Sequence, residues 1–191
     1  MGLPTPTATP LSSTSGSRPQ QGQRADRDAF CAAMTHLPSG VSIITTQGPD
    51  GPLGCTVNSV ISLSAQPPSL LVSLAATSRT LLHALRTGGF AVNVVSWRQR
   101  ELYRRFAQGD PLRRFDGVTH TVRDGQPVLA HTSAVFTCTV ERSIEVGDHT
   151  LLVGSPTEAF HDADARPLVL HRHRAHRLDP YAARSREADA G

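Results

Sequence analysis

The sequence predicts a mainly β protein, an antiparallel barrel with short helices at its periphery. Short β-branched or aliphatic runs recur between turn-forming residues. Most successive runs are joined by links short enough for hairpins. From Phe136 to Val146 the even positions read Phe, Cys, Val, Arg, Ile and Val while the odd ones are mostly Thr, Glu and Ser. That is the period-two pattern of a half-buried antiparallel strand. Six or more strands with three short helices close most naturally as a barrel, because closure removes exposed strand edges.

Taken in order, Asp26 is placed to cap a helix whose Phe30, Ala33, Met34 and Leu37 recur at helical spacing, and Pro38-Ser39-Gly40 stops it. Val41 to Thr46 is a β-branched strand. Gly48-Pro49-Asp50-Gly51 follows as a turn, and a second strand from about Leu53 to Leu63 completes a hairpin. After Pro67-Pro68, Ser69 to Ala75 reads as a buried strand, Ser78 to Arg86 as a short helix, and Phe90 to Val95 as a strand. Residues 97–107 read as a helix with Leu102 and Phe106 on one face and Glu101 four residues before Arg105. A polar loop leads to the alternating strand, Gly147-Asp148 turns the chain, and Thr150 to Phe160 returns. The closing stretches surround Leu168 to Leu170 and Leu178.

Residues 1–24 stand apart, since 18 of them are Pro, Ser, Thr, Gly or Gln. Such a segment buries too little apolar surface to offset its ordering entropy, so it is expected to be a disordered extension. Residues 25–178 form the expected folded domain and 179–191 a flexible tail. The 19 Lys and Arg against 16 Asp and Glu leave a net charge of +3, spread without a dense stripe, which argues against nucleic acid. Three cysteines without CxxC spacing exclude a disulfide framework and fit a reducing, cytoplasmic setting. No apolar run is long enough to span a membrane.

Four segments can carry chemistry. Gly54 to Ser59 lines small hydroxyl and amide side chains along one strand, either to read a flat polar heterocycle or simply as the strand's wet face. Ala75 to Thr80 brings free N–H groups, hydroxyls and Arg79 together at a helix start, the recipe for holding a phosphate, although a plain N-cap at Ser78 explains the same residues. Gly147-Asp148-His149 is a type II′-compatible turn followed by a histidine. His171 to Arg177 carries three histidines among arginines, whose charge opposes a metal cation, so no metal site is assigned and a basic surface strand is expected. Walker, GxGxxG, GxSxG and HExxH motifs are absent.

In order, these segments resemble the short-chain flavin reductase family, whose fold is the FMN-binding split β-barrel of Greek-key type. The resemblance runs from about Phe30 to Leu178. It rests on Pro38 to Thr46, Gly54 to Ser59, Ser64 to Pro68, Ser78-Arg79-Thr80, Phe90 to Val94, Arg105-Phe106-Ala107, Arg114-Phe115-Asp116-Gly117 and Gly147-Asp148-His149. The sequence departs from the family pattern at Cys55, where a larger apolar residue is common, and at Val60-Ile61, where Phe is frequent. It departs again at Leu170-His171, where Tyr is frequent, and at Arg114, where Lys is usual.

The resemblance implies an NAD(P)H-dependent flavin reductase that passes hydride from NADH or NADPH to FMN or FAD and supplies a partner monooxygenase. It also implies a homodimer with one flavin per subunit. Cys55, Thr56, Val57, Asn58 and Ser59 would meet the flavin ring, and Leu74 and Ala75 its ribityl chain. Ser78, Arg79 and Thr80 would hold the phosphate, with Arg114 and Phe115 near the phosphate or the cosubstrate. His149 would be the catalytic-site residue associated with nicotinamide. Two other readings on the same barrel stay open. One is a flavoprotein with tightly bound FMN acting on a small organic substrate, and the other a flavin-binding subunit without turnover.

Overall fold

Asp26 begins the first helix as its N-cap, its carboxylate accepting from the N–H groups of Asp28 at 3.1 Å and Ala29 at 3.0 Å. The computed structural model describes residues 25–178, so the extension expected at 1–24 and the tail expected at 179–191 lie outside the described residues. Helix α1 spans Arg27–Met34, and β1 (Ser39–Gly40), β2 (Ser42–Gly48), β3 (Gly51–Val57), β4 (Val60–Ala65) and β5 (Pro68–Ala75) follow. Helix α2 (Arg79–Thr87) leads to β6 (Gly89–Val94), a 3₁₀ turn at Trp97–Gln99 and helix α3 (Arg100–Gln108). The chain then forms β7 (His120–Arg123), β8 (Gln126–Leu129), β9 (Ala134–Val146), β10 (His149–His161), β11 (Leu168–His171) and β12 (Arg174–Arg177).

Seven strands form one antiparallel ladder in the order β3-β2-β6-β9-β10-β5-β4. The end strands β3 and β4 do not pair with each other, yet Cys55 and Val57 from β3 and Val60 from β4 pack on the same core cluster. That cluster holds Ile44, Leu70, Val72, Leu74, Phe90, Val92, Cys138 and Leu152. The sheet therefore curls around one interior and stays split at its seam, a mainly β barrel as expected. Ile43, one residue from Ile44, points the other way into a second cluster with Val41, Val95, Phe106, Leu129 and Leu168. Fully burying each such side chain contributes roughly 1.5–3 kcal/mol before entropy is counted.

β2 is buried on both faces, and its hydroxyls are satisfied internally. Thr46 Oγ1 donates to the Gly89 carbonyl at 3.0 Å, and Thr45 Oγ1 donates to the Pro127 carbonyl. Asn93 Nδ2 donates to the Ile43 carbonyl and to Thr45 Oγ1, both at 3.0 Å, while its Oδ1 accepts from the Leu129 N–H at 2.8 Å.

Several expectations are corrected. The strand expected over 53–63 is two strands, because the chain changes neighbours: Val57 pairs with Ser42 while Val60 pairs with Val72. Asn58 and Ser59 lie in the change-over, outside both ladders. The polar loop expected after α3 contains the β7–β8 hairpin, turned by Asp124 at φ 46° and Gly125 at φ 73°. Alternation in β9 fails at Thr137 and Cys138, both buried, where register shifts in β10 disturb the pairing. Beyond Val140 the strand is exposed on both faces. Glu101 pairs with Arg100 at 3.7 Å instead of Arg105, which donates to the Arg113 carbonyl at 2.9 Å. The apolar face of α1 buries no residue, and His171 to Arg177 is a hairpin turning at Arg172-His173 instead of one strand.

Candidate functional site

Three pieces of chain meet at the C-terminal end of β5. Register places His149, the first residue of β10, opposite Ala75, the last of β5. Gly147 adopts φ 60° while Asp148 does not share the positive φ, the pattern of a type II′ turn that permits only this tight reversal. The Ala76 N–H donates to the Asp148 carbonyl at 2.9 Å and the Ser78 N–H to the Ala75 carbonyl at 2.8 Å. The β9–β10 hairpin and the start of α2 are thereby fixed to each other.

Ser78 caps α2, accepting from the Leu81 N–H at 3.4 Å, and its hydroxyl donates to Cys55 Sγ at 3.8 Å. The N–H groups of Arg79 and Thr80 belong to the helix's first turn, so they have no intrahelical acceptor. They find none elsewhere among the described residues. Two backbone donors and the positive end of the helix therefore face outward beside Ser78, a fitting cradle for a phosphate.

A cavity of about 300 Å³ opens here, bordered by Cys55 to Ser59, Ser73, Leu74, Ala75, Ser78 and His149. Leu74 is 2% exposed and its side chain belongs to the core, so it offers the cavity its backbone. Thr56 Oγ1 donates to the Tyr103 carbonyl at 2.7 Å, and Ser59 Oγ to the Ser73 carbonyl at 3.1 Å. The exposed Asn58 amide has no partner among the described residues, which leaves its donors and acceptor for the edge of a heterocycle. His149 Nδ1 and Asp148 Oδ1 lie 2.8 Å apart, and this hydrogen bond, with the imidazole's charge, holds the Asp148 carboxyl below the usual carboxylate range.

Four residues expected at the site lie outside this cavity. Thr80 is buried beneath it and hydrogen-bonds Cys55. Arg79 and Phe115 face a second cavity of about 320 Å³ on the other side of the α2 start. Arg114 directs its donors to backbone, Nε to the Gly109 carbonyl at 3.0 Å and Nη1 to the Gly54 carbonyl at 2.8 Å. Burial lowers the Arg114 pKa, opposed by Cys55 and Asp110. Burial pushes the Cys55 thiol up, opposed by Thr80, Ser78 and the charge of Arg114.

Ser73 is not among the residues expected at the site, although a hydroxyl between aliphatic residues and in phase with Ala75 is a usable signal. The sequence offers Asp148 only as a turn residue. Among the described residues no group of three or more His, Cys, Asp or Glu is arranged to hold a metal ion. Nor, among them, is any helix long and apolar enough to cross a membrane.

The flavin reductase like domain family matches residues 34–179. An NADH-dependent FMN reductase from Streptomyces nodosus subsp. asukaensis is 35% identical over 178 residues, which are 89% of this chain and 95% of the relative. Two proteins of Rhizobium meliloti (strain 1021) are similar over 137 residues, 70% of this chain: a probable flavin reductase at 40% identity and a stachydrine N-demethylase reductase subunit at 39%. The chain spans 42% of the first and 57% of the second. Among solved structures, an NADH:FAD oxidoreductase from Streptomyces globisporus C-1027 in complex with NAD and FAD fragments superposes with a TM-score of 0.74. It is 29% identical, and the match covers 82% of this chain and 95% of that one.

Proposed function

The chain belongs to the flavin reductase like domain family, and from that premise we propose that it is an NADH-dependent flavin reductase whose site is the cavity between β3, β5 and His149. The observation that carries this reading is one cavity bordered by the unpartnered Asn58 amide, by Ser78 at the start of α2, and by His149, which is hydrogen-bonded to Asp148.

A flavin bound there supplies the ring that accepts hydride from the reduced nicotinamide. The chain's own residues bind and orient. Asn58 presents an amide to the ring's polar edge, while Cys55 and Val57 offer small apolar surface from β3. Ser78 and the first turn of α2 hold the phosphate, with Thr80 fixing Cys55 from below. Asp148 orients the imidazole of His149, which stands at the cavity rim to position the nicotinamide. No carboxylate lines the cavity, in keeping with a reaction in which the protein contributes proximity more than acid–base work.

That one similar protein is the reductase subunit of an N-demethylase supports a separate partner enzyme, which in this reading is a monooxygenase that receives reduced flavin. A homodimer belongs to the same reading, supported by the exposed Ile61 and Leu63 of β4 and Ile144 and Val146 of β9. The three unpaired cysteines support a cytoplasmic setting. The test is oxidation of NADH and NADPH followed by loss of nicotinamide absorbance, with and without added FMN or FAD. Turnover that depends on added flavin is expected. Flavin binding without any nicotinamide oxidation would overturn the reductase.

A further inference from the structure

The β11–β12 hairpin carries charge that the reading above does not use. From Ala165 to Leu178 the chain holds Arg166, Arg172, Arg174 and Arg177 and no Asp or Glu, on a protein whose net charge is only +3. Arg172 and Arg174 are exposed and pair with no carboxylate among the described residues.

The turn of this hairpin is also the less favourable choice for its shape. His171 pairs with Arg174, so Arg172 and His173 alone make the reversal, at φ 50° and 61°. A two-residue turn with both φ positive is of type I′, whose ordinary occupants are Asn and Gly. Glycine takes that conformation without strain, yet the chain sets a guanidinium there. The Arg172 N–H donates to the Thr35 carbonyl at 2.8 Å, which fixes the turn against the end of α1.

That anchoring places the charge beside the flavin cavity. A depression of about 240 Å³ between α1 and the turn is bordered by Phe30, Met34, Leu170, Arg172 and His173, and by Asn58. Asn58 borders the flavin cavity as well, so the two hollows adjoin at that residue. No carboxylate lines either of them. An anion that approaches the cavity from this side meets uncompensated positive charge first.

We infer that Arg172 and Arg174 steer phosphate-bearing substrates toward the cavity, acting on the approach and not as ligands of the bound state, a role that rests on the flavin reading. FMN carries a phosphate monoester with nearly two negative charges at neutral pH, and the nicotinamide dinucleotide carries a diphosphate. Fixed positive charge near a mouth raises the encounter rate of such anions, and salt removes the effect.

The test is stopped-flow association of FMN with the flavin-free protein, followed by flavin fluorescence. The double substitution Arg172→Gly and Arg174→Gln should slow association about threefold or more at an ionic strength of about 10 mM. The difference should vanish near about 0.5 M, and dissociation should stay within about twofold throughout. Riboflavin, the same ring without the phosphate, should associate equally fast with both proteins. Arg172→Lys keeps the charge and should keep the parent's rate, while Arg172→Gly alone should not lower Tm, because glycine relaxes the turn. FMN association that the double substitution leaves unchanged, riboflavin slowed as much as FMN, or a change confined to dissociation overturns the steering role. A matching loss in kcat/KM for NADH at low ionic strength extends the role to the cosubstrate, and a loss for FMN alone confines it to the flavin. Failure of FMN and riboflavin alike to bind the parent protein removes the flavin reading, and steering with it.

Discussion

Replacing Arg114 by methionine separates two roles open to a cation at this position. The guanidinium bridges the Gly109 carbonyl just past α3 and the Gly54 carbonyl on β3, at 3.0 and 2.8 Å. A hydrogen bond from a charged donor contributes about 1.5–3 kcal/mol, and methionine keeps most of the aliphatic stem. Arg114 is half-buried, so solvent recovers part of that loss, and a net cost of about 2–4 kcal/mol is expected. In a domain of this size that lowers Tm by roughly 5–15 °C. The assay is thermal and urea unfolding of flavin-free protein followed by circular dichroism, with the m-value unchanged. Removing the positive charge also lifts the Cys55 thiol further, so iodoacetamide should label Cys55 more slowly at fixed pH. Flavin-free stability within about 0.5 kcal/mol of the parent, with the loss confined to ligand affinity, would refute a structural role.

His149→Ala should raise the KM for NADH or lower kcat by about tenfold, worth ~1.4 kcal/mol, with flavin affinity unchanged; parent-like kinetics in both parameters would remove the residue from the nicotinamide site. Gly54→Ala places a Cβ 2.9 Å from the Phe106 ring and 3.1 Å from the Ile44 carbonyl. It should cost about 1–3 kcal/mol in urea titration, and an unshifted midpoint would show that Phe106 gives way freely. Cys138 is pushed up to about 12 by burial. Its raised folded pKa stabilises the fold fully below the unfolded value near 9, and that contribution is lost as pH rises from there toward 12. Cys138 should resist alkylation at pH 8 until the chain unfolds, whereas Cys31 is exposed and should react first. Early labelling of Cys138 in folded protein would contradict its burial.

Local chemistry was legible wherever one segment decides it. Ser78 announced the start of α2, the run from Ser42 announced a buried strand, and Gly147 announced its turn. Asp124-Gly125 carried an equally strong hairpin signal inside what reads as a polar loop. What one segment cannot show is where a neighbour lies. The break at Asn58-Ser59 follows from partners β2 and β5, and Arg114 reaches a carbonyl sixty positions away. What the sequence also does not show is that the side chains of Ser78, Arg79 and Thr80 point in different directions, since successive residues on a helix lie about 100° apart. Ser78 faces one cavity, Arg79 the other, and Thr80 the interior beneath them.

The walls of the cavity proposed for flavin come from residues 55–59 and from 73–75 with Ser78, close together in the chain, yet β3 and β5 are separated in the ladder by β2, β6, β9 and β10. Apart from β4, its own hairpin partner, β5 has no strand to join until β10 is present, through pairings such as Leu74 with Thr150. During synthesis the ribosome therefore releases every polar group of the cavity except His149 well before it releases the strand that brings the two walls together. A nascent chain cannot take up its cofactor early and use it as a folding template for the barrel. Cofactor capture comes after the last long pairing has formed, which makes the appearance of flavin affinity a clock for completion of the chain's most distant contacts.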